Sequence, residues 1–409
     1  MFFRLEADRM PLATTERPCV SNGRPAGLTL DNWDFAPFNR WSFQHMREIV
    51  ATAPVAAPET PSALSAAPAG LAPDDFVFTD GSGTTVTAGA VLDRSFTDGF
   101  LVLHQGRIVT ELYRNGMAPE TLHILHSVTK SVMGALTGIL VHEGHMGLDR
   151  RVCDYIPAFA GSAYRDVTIA QLLDMTSGVD FPEDSADPET GFGLLDISIG
   201  WKVQRPGSVT PRTLPDLIVA QKRAVRPHGA EFEYRSLETE VLGYCIEAAL
   251  GCALPELVST FLWKPMGAER AADFGLDGQG HGVADGGLCS CLRDLGRFGL
   301  LYAQEGAIGG RQVVPPGWVA ETRNGDPEKF GAAARKGRPK GAYRNQFWIV
   351  EAGGPAIAGS GVFGQMLYID HSRDFVGVKF SSWPDLVNPA MRLDIERMMA
   401  ALAETLSGG

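Results

Sequence analysis

No stretch of this chain reaches the roughly 18 consecutive apolar residues that a membrane-spanning helix needs, so no membrane partner is expected. Met1-Phe2-Phe3-Arg4-Leu5-Glu6-Ala7-Asp8 puts acids where a secretory signal needs an apolar core. Cysteine is scarce. Six occur in 409 residues (Cys19, Cys153, Cys245, Cys252, Cys289 and Cys291), with no framework spacing. That argues against a disulfide-built domain and for reduced thiols in a cytoplasmic protein. A basic excess is lacking too. The formal net charge is −12, which argues against nucleic acid as a partner. Cys289-Ser290-Cys291 is too tight for a zinc half-site, and His142-Glu143-Gly144-His145 is one residue short of H-E-x-x-H, so no metal is expected. The G-x-S-x-G elbow, the phosphate-binding loop and the dinucleotide fingerprint are all missing. No organic cofactor is expected either.

What is present is ordinary globular composition, 44% hydrophobic and 21% charged. Residues 1–73 read as an N-terminal arm and an Ala/Pro-rich linker. Trp33, Phe35, Phe38, Trp41 and Phe43 are too many aromatics for a free tail, so the arm is expected to pack on the body. Strand signals lie near both ends. They are a hairpin over 100–113 turning at His104-Gln105-Gly106, then runs at 345–351, 366–369 and 375–380. Helical periodicity dominates between them, from Ser127 to Glu143 and on through 168–175, 214–223, 238–250, 254–262 and 291–304, with a last helix from Asp385. Segregated strands and helices point to an α+β fold. We expect an antiparallel sheet from 74–126 and 340–409, flanked by helices, and an inserted mainly helical region from 127–339. The late strands should pair with the early hairpin.

The chemistry centres on Ser127-Val128-Thr129-Lys130 at the start of a helix. Residues three apart share a helix face, about 5–6 Å between Cβ atoms, so the lysine amine reaches the serine oxygen. A serine needs such a neighbouring base, and an amine serves once a desolvated or cationic setting removes its proton. The free N–H groups of the first turn favour developing negative charge. Tyr234 precedes a helix that Ser236 could cap, and Lys130 and Arg235 would favour its phenolate as a general base. Gly359-Ser360-Gly361 enters a strand and would bring the Val362 N–H opposite that of Ser127, the two forming an oxyanion hole.

These residues, in this order, resemble the serine β-lactamase-like hydrolases, which include class C β-lactamases, D-alanyl-D-alanine carboxypeptidases and related esterases. Ser127-Val128-Thr129-Lys130, Leu172-Leu173-Asp174-Met175-Thr176-Ser177-Gly178, Tyr234-Arg235-Ser236 and Gly286-Gly287-Leu288 carry the likeness from about residue 100 onward. Leu30-Asp31-Asn32-Trp33, Asn39-Arg40-Trp41-Ser42-Phe43 and Phe380-Ser381-Ser382-Trp383-Pro384-Asp385 extend it to the nylon-oligomer branch, the 6-aminohexanoate-dimer hydrolases. The resemblance implies a β-lactamase/transpeptidase-like fold, Ser127 as nucleophile and Lys130 and Tyr234 as its proton carriers. It implies no cofactor, an ester or amide as the small-molecule substrate, and a homodimer. Asp196 matches an acidic position that favours a substrate amine, and Ser236 falls in the Tyr-x-Ser element. Trp201, Trp348 and Phe363 are further candidates to line the pocket. Two departures matter. Gly359-Ser360-Gly361 stands where β-lactamases have lysine-threonine-glycine, which removes a cation for a substrate carboxylate. Ser185 stands where the branch has a substrate-binding tyrosine. The expected activity is a serine hydrolase cleaving an ester or linear amide. The alternatives are a peptidase or acyltransferase on the same acyl-enzyme, or a penicillin-recognising protein without turnover.

Overall fold

The computed structural model describes residues 23–183, 191–204, 207, 211 and 213–408. An eight-stranded sheet runs in the order Ala342–Arg344, Phe347–Ile349, Ala356–Gly361, Gln365–Asp370, Phe375–Ser381, Thr97–His104, Arg107–Tyr113 and Ser65–Ala66. All neighbours are antiparallel except the last pair. The late strands join the early hairpin through Phe375–Ser381 against Thr97–His104, where Phe375 faces His104. Successive residues of a strand point to opposite faces. Val376 meets Gly299 of the helix Leu292–Ala303, and its neighbour Gly377 meets Met399 of the helix Pro389–Ser407. The two helices therefore cover opposite faces of the sheet, and glycine at each contact allows the close approach.

Three features differ from the sequence reading. The run at 345–351 holds one short strand, Phe347–Ile349, because Asn345 and Gln346 both take left-handed φ, 48° and 66°, and turn the chain back on the strand Ala342–Arg344. The helix Leu292–Ala303, within 127–339, packs on the large sheet rather than in a separate helical layer. A second sheet of four strands, Thr52–Val55, Ala272–Gly275, Leu288–Ser290 and His123–Ile124, ties the Ala/Pro-rich segment to the body. Its strands are two to four residues long, too short to carry a periodic signal. Of the arm's aromatic residues, Trp33, Trp41 and Phe43 are buried and Phe35 is exposed, while residues 1–22 lie outside the described residues. Among the described residues no single helix is long and apolar enough to cross a membrane.

The helix Val128–His142 is buried from Val128 to Leu140 between the sheet and the helix Ser236–Leu250. Gly134 faces the Asn345 carbonyl, where an added Cβ would overlap the main-chain oxygen. That turn cannot yield easily. Gln346 donates to the Leu172 and Leu173 carbonyls and accepts from Thr239. Gly134→Ala should therefore destabilise the fold by about 1–3 kcal/mol, more than the ~1 kcal/mol that alanine gains in helix propensity. A thermal midpoint equal to or above the parent's would refute this packing argument.

Candidate active site

The strand His123–Ile124 leads into the Val128–His142 helix through one strained residue. His126 takes φ 46°, which turns the chain so that Ser127 stands at the N-cap position. Aromatic rings hold this turn. Trp33 stacks on His126 at 6.3 Å, with Phe43 at 4.8 Å and Phe363 at 5.5 Å between ring centroids. Burial pushes the His126 imidazole down to about 3, with His123 and Lys130 adding to it, so the ring stays neutral. Its buried Nε2 has no hydrogen-bond partner among the described residues, and neutrality limits that cost.

Ser127, Lys130 and Tyr234 come together. Lys130 Nζ donates to Ser127 Oγ at 2.9 Å, as the i,i+3 spacing implies. It also donates to the Asp285 main-chain oxygen at 2.7 Å and lies 3.4 Å from Asp285 Oδ2. The Tyr234 hydroxyl is within hydrogen-bonding reach of Ser127 and Lys130, and Lys130 Nζ sits 5.3 Å from its ring centre. Tyr234 lies in the loop ahead of the Ser236–Leu250 helix and stacks on Trp348 at 5.4 Å. Phe232, Phe330 and Tyr343 back this stack.

The charge states differ from the sequence expectation. Burial works against the Lys130 ammonium, but Tyr234, Asp285 and Glu183 more than offset it and hold the group up at about 12. Desolvation raises the Tyr234 phenol, and Lys130 and Ser127 only partly reverse the shift. The resting pair is an ammonium and a phenol, not an amine and a phenolate. Arg235 does not stand beside the phenol. It pairs with Glu233 and Glu238, and Lys130 is the cation that acts on the phenol among the described residues.

A cavity opens above Ser127. Val362, Phe363, Asp196 and Trp201 line it, with Trp33, Asp34, Phe192, Asp285 and Leu386 among its other walls. Asp196 sits on the helix Gly191–Ile199 rather than in a loop. Desolvation, then repulsion from Asp34, raises its carboxyl well above the usual range, with Lys202 opposing. Lys202 forms an ion pair with Asp34, and Trp33 Nε1 donates to the Trp201 carbonyl at 3.1 Å. The main-chain N–H groups of Ser127 and Val362 donate to no turn or loop carbonyl among the described residues. The turn after Val362 is fixed by Phe363 at φ 58° and by Gln365. The Gln365 side chain donates to the Ser381 carbonyl at 2.7 Å and accepts from the Ser381 N–H at 3.1 Å.

Two expected pocket residues lie elsewhere. Trp348 packs behind Tyr234, because the alternation of its strand turns it to the aromatic cluster. Ser236 is the first residue of its helix rather than its cap, and it is buried against Glu183, which accepts from its N–H and its hydroxyl. Burial pushes the Glu183 carboxyl up to about 7, against Lys130 and Ser236. Ser185 lies outside the described residues. Among the described residues no cluster of His, Cys, Asp or Glu could hold a metal ion. Sequence reasoning missed Trp33, Asp34, Glu183 and Asp285. Only Asp285 had a local signal, its place just ahead of Gly286-Gly287.

Known proteins resemble this chain in sequence and fold. A family model described as Beta-lactamase matches residues 88–397. The chain is 35% identical to 6-aminohexanoate-dimer hydrolase of Paenarthrobacter ureafaciens over 385 residues, 91% of this chain and 93% of the relative. A shorter match, 28% over 163 residues, reaches 37% of this chain and 38% of esterase EstB from Burkholderia gladioli. A Bacillus anthracis protein provisionally described as a 6-aminohexanoate-dimer hydrolase superimposes with a TM-score of 0.86 at 27% identity, covering 95% of this chain and 99% of that one. With matches of this length on a shared fold, the chain is a serine hydrolase belonging to the Beta-lactamase family.

Proposed function

We propose that Ser127 is the nucleophile of an acyl-enzyme cycle on a carboxylic ester or linear amide that carries a protonated amine. The observation that carries this is the 2.9 Å hydrogen bond from Lys130 Nζ to Ser127 Oγ at the floor of the cavity. Ser127 attacks the carbonyl after the Lys130–Tyr234 couple has lost one proton. Lys130 keeps its own and stabilises the phenolate that takes up the serine proton. The N–H groups of Ser127 and Val362 hold the oxyanion. Tyr234 returns the proton to the leaving alcohol or amine, and water releases the acid by the reverse steps.

The amine follows from charge. Three carboxyl groups, Asp34, Asp196 and Asp285, line the cavity; Lys202 pairs with Asp34 and Lys130 with Asp285. Asp196, which burial and Asp34 hold toward its neutral form, would ionise beside a substrate ammonium and pair with it. The 6-aminohexanoate-dimer hydrolase relative supports a short amino-acyl amide of this kind. The unpaired thiols of Cys153, Cys245, Cys252, Cys289 and Cys291 support a cytoplasmic setting.

The test compares the 6-aminohexanoate dimer, its N-acetyl form, p-nitrophenyl esters and D-alanyl peptides, with fluorophosphonate labelling alongside. The free amine should exceed its acetylated form in kcat/KM by about ten- to a hundredfold, the worth of a hydrogen bond to a charged group. Equal rates on both forms would remove the amine from the reading. Acylation by an ester without turnover would replace the hydrolase reading with the penicillin-recognising alternative.

A further inference from the structure

Glu240 has no part in the chemistry above, yet its carboxyl is only 1% exposed. A buried carboxyl is costly unless its oxygens are hydrogen-bonded. Glu240 lies on the helix Ser236–Leu250, whose leading loop carries Tyr234. Its partners all lie in the segment just before Gly286. Oε1 accepts from the Asp285 N–H at 2.8 Å, which sets the Glu240 carboxyl beside residue 285. Gly243, one turn further along the helix, permits the approach. A Cβ there would stand 2.7 Å from the Ala284 Cβ. The far side of Asp285 belongs to Lys130, which reaches both its main-chain oxygen at 2.7 Å and its Oδ2 at 3.4 Å. Residue 285 thus anchors the amine twice, and Glu240 anchors residue 285.

We propose that Glu240 is a positioning residue for Lys130, acting through Asp285. This rests on the reading of Ser127, Lys130 and Tyr234 given above and adds to it a brace outside the cavity. By fixing both the main chain and the carboxyl of residue 285, Glu240 holds Lys130 Nζ opposite Ser127 Oγ. It also ties that amine to the helix that follows Tyr234, so the two proton carriers keep a fixed separation. Two neighbouring carboxyl groups removed from water cannot both be ionised. Glu240, the more deeply buried of the two, keeps a proton that it can donate to Asp285. Desolvation, then the Asp285 charge, raises the Glu240 carboxyl well above its ordinary range, in keeping with this arrangement. A glutamine offers the same acceptor to the Asp285 N–H and the same donor to its carboxylate, whereas a leucine of similar size offers neither.

The experiment measures kcat and KM on a p-nitrophenyl ester for the parent, Glu240→Leu and Glu240→Gln, with thermal midpoints for all three. Glu240→Leu is expected to lower kcat by about 30- to 100-fold, the cost of misplacing a catalytic group by an ångström. Its KM should stay within about threefold. Glu240→Gln should restore kcat to within about threefold of the parent. If Glu240→Leu does not fold, Glu240→Asp, which withdraws the carboxyl by one methylene, takes its place and is read the same way. A folded Glu240→Leu with the parent's kcat would overturn the proposal. So would a Glu240→Gln as impaired as the leucine variant. A parent enzyme without ester turnover would instead overturn the reading of Ser127, so the two failures are distinguishable.

Discussion

Ser127→Ala should lower kcat/KM on a p-nitrophenyl ester by at least about 10⁴-fold, the scale on which loss of a serine nucleophile acts. It should also abolish labelling by a fluorophosphonate. The fold should survive. Lys130 loses one acceptor but keeps the Asp285 main-chain oxygen and carboxylate. The lost hydrogen bond costs about 1 kcal/mol, small against the usual total. The thermal midpoint should therefore stay close to the parent's while turnover disappears. Residual activity above about a hundredth of the parent's would mean another group attacks the carbonyl. Ser360, in the strand Ala356–Gly361, would then be the first alternative to examine.

Lys130→Met is the second large effect, and it should appear in both rate and stability. The amine sits 1% exposed beside Asp285, and its removal strands a carboxylate away from water. Breaking such a pair from one side costs about 3–5 kcal/mol. Turnover should fall by about 10²- to 10⁴-fold, the range for losing a positioned proton carrier. Lys130→Arg separates the two consequences. A guanidinium supplies charge to Asp285 and recovers part of the stability, but its planar fork does not offer a single nitrogen to Ser127 Oγ. Turnover should remain low in both variants. An arginine variant with near-parental kcat would show that charge alone suffices.

These expectations rest on parts of the molecule that differ in how openly the sequence displays them. Ser127 and Lys130 are legible because their relation is local: three residues on a helix leave no freedom about which face they share. Tyr234 and the Val362 strand entry follow from turn residues next to regular elements. The charge state of Lys130 is another matter. Asp285 and Glu183 lie 155 and 53 positions beyond it, and nothing near residue 130 announces them. A reading of neighbours alone therefore saw a lysine and a tyrosine each ready to lose a proton, where the fold supplies acids that favour the ammonium and burial that favours the phenol. Trp348 shows a similar limit. An aromatic residue on a strand has two faces to choose from, and only the sheet decides that this one stacks on Tyr234. Trp33 and Asp34 read as part of a packing arm, and only their placement against Trp201 and Lys202 brings them into the cavity wall.

The cavity draws residues from Trp33 to Leu386. Asn39 Nδ2 donates to the Trp383 carbonyl at 2.7 Å, joining the arm to the segment after the last strand. Consider a chain still being made on the ribosome. When residue 350 is joined to the chain, Ser127 and Lys130 have long been synthesised, but Val362 has not, and neither has Leu386. Such a nascent chain holds a serine with no oxyanion partner and an unroofed cleft. A product that stops before Val362 therefore carries Ser127 and Lys130 without the rest of the cavity wall.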